Sequence, residues 1–204
     1  MVSELLSDLA VRRLDFSVPR LYVLDGGKAL AAAVRRHAGE AAFIQRCQVH
    51  KRRNVIDHLP EEHKPSVKKK LQNAYAMTEY ADTKRALERL HRELMELNPS
   101  AARSLEEGME ETLTVHRLRV PVQLRRTPAS TNVIESAFSI VETVCRNVKR
   151  WRAGDHIERW VGSGLLVAER QFRKVRGYRE IPSLLTSLAN TVSKKAVAEE
   201  VKVA

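Results

Sequence analysis

The chain has 204 residues, 36 of them Lys or Arg against 25 Asp or Glu, for a net charge of +11, and 43% of it is hydrophobic. That composition suits one domain of good size or a core with an insertion. No apolar run approaches the roughly 20 residues of a membrane helix. Arg12-Arg13 is not followed by the apolar segment of an export signal, and two cysteines, Cys47 and Cys145, make no disulfide framework, so the chain reads as cytosolic.

Leu5, Leu6 and Leu9 mark one face of an opening helix. Arg20 to Leu24 reads as a buried strand ended by Asp25-Gly26-Gly27. The stretch "KALAAAVRRHAG" reads as a helix closed by Gly39, and "EAAFIQRC" as a second strand. Helix, strand, helix, strand implies crossover connections and hence parallel strands in an α/β sheet. From His50 to about His116 no strand is predicted. Leu87, Leu90, Leu94 and Leu97 recur at helical spacing, and Pro60, Pro65 and Pro99 punctuate the run. "RLRVPVQLRRTPAS" reads as an extended basic linker. A long helix follows from Thr131 to Trp151, with Thr131 as N-cap and Ile134, Ala137, Phe138, Val141, Val144 and Val148 as its buried stripe. The next helix is capped by Asp155 with Glu158 and stopped by Gly177.

Residues 46–70 hold eight basic and three acidic side chains, and residues 117–154 hold eight and two, so the rest of the chain is neutral. Two localised basic segments on a neutral body fit a polyanion-binding surface, or a pair of solvated helices.

Asp25 is either a turn residue or a functional group at the carboxyl end of a strand, where open α/β sheets place them. Glu135 lies in the first turn of the long helix, on a face shared with Glu142, Arg146 and Lys149. A strand-end Asp and a helical Glu can share Mg²⁺, an ion that takes oxygen ligands. Cys47-x-x-His50 is half of a zinc site, with no second pair at finger-like spacing beyond His58 and His63. Its plainer reading is a buried Cys and a helix-start His.

In order and wording, "LYVLDGGKAL", "QRCQVHKRRNV" and "STNVIES" resemble the bacterial Mutator-like transposases of insertion sequences. The resemblance covers about residues 5 to 180. It implies an α/β fold: a partial RNase H-like core lacking its first strands, with a large all-helical insertion. The implied division is 1–49 partial core, 50–116 helical insertion, 117–180 core helices carrying Glu135, and 181–204 a helical tail. Asp25 and Glu135 are then catalytic and metal-binding members of an Asp-Asp-Glu site for two Mg²⁺ (or Mn²⁺) ions, which cleaves and joins DNA strands. Cys47 and His50 are the family's Cys-x-x-His signature, of unproven role. The resemblance also implies DNA as partner (transposon ends and target), no membrane, and a homodimer or larger assembly on DNA.

Lys51, Arg52, Arg53, Asn132, Arg146, Lys149, Arg150 and Arg152 are the expected DNA contacts. Trp151 either stacks on a splayed base or packs against Trp160 or Ile157. The family's first Asp lies on a strand ahead of the opening helix. Asp8 and Asp15 are poor substitutes for it. The expectation is therefore the carboxyl-terminal part of a transposase, unable to cleave DNA alone, with a non-catalytic DNA-binding protein or transposase inhibitor as the competing class.

Overall fold

A computed structural model of the chain describes residues 2–151 and 154–203, with side chains described as far as residue 194. In chain order the elements are α1 (Val2–Val11), β1 (Arg20–Leu24), α2 (Lys28–Ala38), β2 (Ala42–Arg46), α3 (Gln48–Asp57), α4 (Lys64–Ala76) and α5 (Tyr80–Leu97). Then come α6 (Pro99–Glu106), α7 (Met109–Thr112), α8 (Thr114–Arg117), α9 (Val122–Arg125), α10 (Asn132–Cys145), α11 (Asp155–Gln171) and α12 (Ile181–Val203).

The two strands are parallel, in register from Arg20 opposite Ala42 to Leu24 opposite Arg46. Successive residues of β2 face opposite layers, as a period of two requires. Ile44 packs with Leu6, Phe16, Ala33, Val34 and Ala38 under α1 and α2. Phe43 packs with Val115, Leu118, Leu124 and Leu188 on the other side. Gln45, fully buried, is satisfied by side-chain contacts that stand in for a ladder. Its Nε2 donates to Thr112 O (2.9 Å), and its Oε1 accepts from Val115 N (2.9 Å). Leu188 makes the last helix part of this core rather than an appended tail.

Helices α3 to α6 build a core of their own from Val55, Leu71, Leu87, Leu90, Leu94 and Leu105, among others. Leu97, read from spacing as a fourth stripe position, is exposed at the end of α5. Pro65 and Pro99 sit in the first turns of α4 and α6, and Pro60 lies in the connection between α3 and α4. Pro99 opens α6, where the Asn98 side chain caps Ser100 N and Ala101 N at 2.9 and 3.1 Å.

Four local expectations are corrected. The 117–130 stretch is not extended. It folds into turns and the short α9, which bury Leu118, Val120 and Leu124. In α10 Ala137 and Val141 are buried as expected, but Cys145 joins them, while Ile134 and Phe138 are 51% and 54% exposed. α10 packs against α11 through small residues: a Cβ on Gly164 would stand 3.0 Å from Val141 Cα, so close approach selects small side chains over large ones. α11 is capped by Gly154 without a side-chain bond, and Asp155, its first residue, pairs with Arg159 at 3.3 Å.

α11 also ends at Gln171 and not at Gly177. Gly177 has φ +73°, and a Cβ there would lie 2.6 Å from the backbone of Gln123 and Leu124. Its role is therefore close packing on α9. Gly177→Ala combines a left-handed backbone with a backbone clash, and we expect a loss of about 1–3 kcal/mol in urea unfolding. An unchanged midpoint would show that this contact relaxes freely.

Candidate active site

The carboxyl edge of the parallel sheet collects the residues of interest. The ladder runs one bond past β2, with Cys47 N donating to Leu24 O at 2.7 Å. Asp25 is therefore the next residue after the carbonyl that Cys47 grips. Its carboxylate is exposed, and Oδ1 accepts from Gly27 N at 3.0 Å, an Asx turn that orients the side chain at the head of α2. Gly26, at φ +111°, lies flat on the Arg46 guanidinium, which a Cβ would meet at 2.7 Å. Asp25 is thus both turn residue and exposed strand-end carboxylate.

Cys47 is the N-cap of α3 and is fully buried. Its sulfur is an acceptor shared by two elements. From α3 it takes His50 N at 3.5 Å and faces His50 Nδ1 at 3.3 Å. From the start of α10 it accepts from Thr131 N at 3.4 Å, and Thr131 Oγ1 stands beside it at 3.4 Å. Next to it, Gln48 N donates to Ala129 O at 2.9 Å. The chain entering α10 is therefore fastened to the end of β2, 84 residues earlier. Thr131 Oγ1 also lies 3.2 Å from His50 Nδ1 and donates to Glu135 Oε1, which stands 3.7 Å from His50 Nδ1. Cys47, His50, Thr131 and Glu135 form one continuous network. The exposed Glu135 carboxylate is held by one oxygen and keeps Oε2 open.

Thr131 is the member that sequence reading missed. Its position predicts a cap for its own helix, yet it makes no side-chain cap bond. The available signal was its spacing of four from Glu135, which stacks the two on one helical face. Two open carboxylates are hard oxygen donors suited to Mg²⁺ or Mn²⁺, whereas the Cys47 sulfur is not. Among the described residues no group of three His, Cys, Asp or Glu side chains could hold a metal ion. Asp8 pairs with Arg12 at 2.9 Å, and Asp15 accepts from Ser17 N and Oγ at 2.9 and 2.6 Å.

The expected DNA contacts divide. Lys51 is fully buried, with its ammonium donating to Ser104 O and Glu107 O at the end of α6. Burial, and then the Arg46 charge, push its pKa down to about 8. No phosphate reaches it, so Lys51 is a structural residue and not a DNA contact. Arg46 is likewise buried, bonding Glu107 O and Oε2 at 3.2 Å. Part of the surplus counted in residues 46–70 is thus internal. Partial burial opposes ionisation of Glu107, but the Arg46 hydrogen bond and charge, with Lys51 and Lys28 behind them, hold its carboxyl below the usual range.

Arg52 is half-buried, while Arg53, Asn132, Arg146, Lys149 and Arg150 are exposed. Arg152 lies outside the described residues. Trp151 is 46% exposed and meets the His156 ring edge-on at 6.2 Å.

The three motifs come together at one sheet edge, and comparison with known proteins identifies the family that carries them. The family described as Transposase, Mutator family matches residues 3–174. The chain belongs to the Mutator family of transposases. It is 31% identical over 138 residues to the transposase for insertion sequence element IST2 of Acidithiobacillus ferrooxidans, a match covering 68% of this chain and 45% of that protein. It is 35% identical over 115 residues to the transposase for insertion sequence element ISRM5 of Rhizobium meliloti (strain 1021), covering 56% of this chain and 28% of that one. The matches therefore span less than half of the length of either relative. No solved structure matches significantly. Among the described residues no helix of this Mutator-family chain is long and apolar enough to cross a membrane.

Proposed function

We propose that the chain carries two of the three carboxylates of an RNase H-like Asp-Asp-Glu site for divalent-metal-dependent cleavage and transfer of DNA strands, with residues 50–116 as the helical insertion between them. The observation that supports this reading best is the network fastening Glu135 to the end of β2, one hydrogen bond from the strand that delivers Asp25. When bound, a pair of divalent ions supplies Lewis acidity to the attacking and leaving oxygens of a phosphodiester.

This chain's own part is positional. Gly27 N fixes one Asp25 oxygen and the Thr131 hydroxyl fixes one Glu135 oxygen, which leaves one oxygen of each free as a ligand. His50 and Cys47 keep Thr131 in place. DNA supplies the substrate, and exposed arginines and lysines neutralise its phosphates. A second reading, for the 204-residue polypeptide by itself, is a protein that binds DNA without cutting it.

The test is Mn²⁺ binding followed by electron paramagnetic resonance, with cleavage of a duplex measured in parallel. Wild type should bind Mn²⁺, and Asp25→Asn and Glu135→Gln should each weaken binding at least tenfold, of order 1.4 kcal/mol. Unchanged Mn²⁺ affinity in both variants would end the metal-site reading. Robust cleavage by the wild-type chain, abolished in Glu135→Gln, would end the second reading and require another carboxylate.

A further inference from the structure

A groove of about 880 Å³ opens beside the start of α10, walled by α3 and α4 on one side and by α9 and residues 126–133 on the other. Arg52, Arg125, Arg126 and Arg176 line it, and no carboxylate does. The contrast with the neighbouring cleft at Gly26 is informative. There Arg46 and Lys28 are answered by Glu107, and Arg35 by Glu111. Arg125 is committed to the fold, donating to the carbonyls of Val120, Met77 and Thr78. Arg52, Arg126 and Arg176 make no ion pair among the described residues, so three cations on three separate segments converge without an internal anion.

The lip of the groove is Asn132 and the exposed Val133, which immediately follow Thr131 and precede Glu135 on the same helix start. A cavity of this size accepts a ligand of small-molecule dimensions, one or two nucleotides of one strand rather than a duplex, whose major groove alone is about 12 Å wide. Val133 offers an apolar contact for a base or sugar, and Asn132 a polar one.

We infer that this groove binds an unpaired DNA strand and delivers it to the Glu135 carboxylate. Only the identity of the polyanion rests on the function proposed above. Arg126 and Arg176, outside every motif, become strand-binding residues beside Arg52.

The experiment measures binding of a short labelled oligothymidylate and of a matched duplex in EDTA, so that no metal site contributes. Each phosphate contact with a single strand contributes roughly 0.7 to the salt slope of log K. Replacing Arg52, Arg126 and Arg176 together by Ala should then lower that slope by about 2 and weaken single-strand binding near 0.1 M salt roughly a hundredfold. Duplex binding should fall much less, and the matching triple Lys variant should restore the slope. Unchanged single-strand binding in the Ala variant would overturn the inference, as would equal losses for the two DNA forms. Wild type that binds duplex alone overturns it too while leaving the proposed function standing. Single-strand binding without any Mn²⁺ site at Glu135 retains the groove and removes the catalytic reading.

Discussion

Alanine at Arg146, Lys149, Arg150 and Arg152 should lower the salt slope of duplex DNA binding by roughly two to four, at about 0.9 for each phosphate that is no longer neutralised. Near 0.1 M salt that corresponds to an affinity loss of roughly a hundredfold to a few thousandfold. Arg146, Lys149 and Arg150 are exposed and make no ion pair among the described residues, so their removal should leave thermal stability close to that of wild type. They begin where α10 ends, 11 residues beyond Glu135. At 1.5 Å per residue this is about 16 Å along the helix, or about five base pairs of duplex at 3.4 Å each. A duplex running along α10 could therefore be held at one end by these residues and meet Glu135 at the other. The loss should be alike for unrelated sequences, because phosphate contacts carry no base information. Salt titrations of the two proteins decide the matter. Equal slopes would put the duplex elsewhere, and no binding by either at low salt would reduce the charges to a solvated surface.

How much of this was legible depends on how local the deciding chemistry is. The ends of β1 and α2 were readable because Asp25-Gly26-Gly27 and Gly39 punctuate the chain through their own backbone preferences. Parallel pairing followed from the need for a crossover between consecutive strands. The stripe of α10 was readable only in part: Ala137 and Val141 are buried as periodicity predicts, but periodicity also weights the large Ile134 and Phe138, whereas the close approach of Gly164 on α11 to Val141 favours small side chains, and Cys145 completes the buried face. Lys51 carries a charge that reads as solvated, and only the carbonyl ends of α6, more than fifty residues away, turn it inward. The pairing of Asp25 with Glu135 came from motif resemblance, since no spacing rule links residues 110 apart. The tie that supports it, Thr131 on the Cys47 sulfur, belongs to tertiary structure alone.

Acidification should weaken the fold at one histidine. His116 of α8 is 1% exposed, and its Nε2 donates to Tyr75 O at 3.2 Å, so the proton sits on Nε2 and Nδ1 is left buried without a partner among the described residues. Burial, and then the Arg125 charge, push its pKa down from 6.5 to about 4. Between those values the unfolded chain binds the proton and the folded chain does not. Stability therefore falls as pH drops through this window, by about 3 kcal/mol in all. Most of that loss comes above pH 4.5, where the lowered carboxyls of Glu107 and Glu110 are still ionised. Lys51 acts on the alkaline side, where its lowered pKa makes stability rise from about pH 8 towards 10.5. Tyr75, raised to about 12, opposes that gain above pH 10. Urea unfolding at pH 7, 5.5 and 4.5 should show wild type losing about 2–3 kcal/mol, whereas His116→Gln, which can still donate to Tyr75 O, should lose less than about 1. Parallel losses in the two proteins would move the acid sensitivity elsewhere. The site of the effect matters because His116 bonds α4 of the helical block while its neighbour Val115 lies in the core under the sheet. Its protonation would thus loosen the joint that sets residues 50–116 against the strands carrying Asp25 and Cys47.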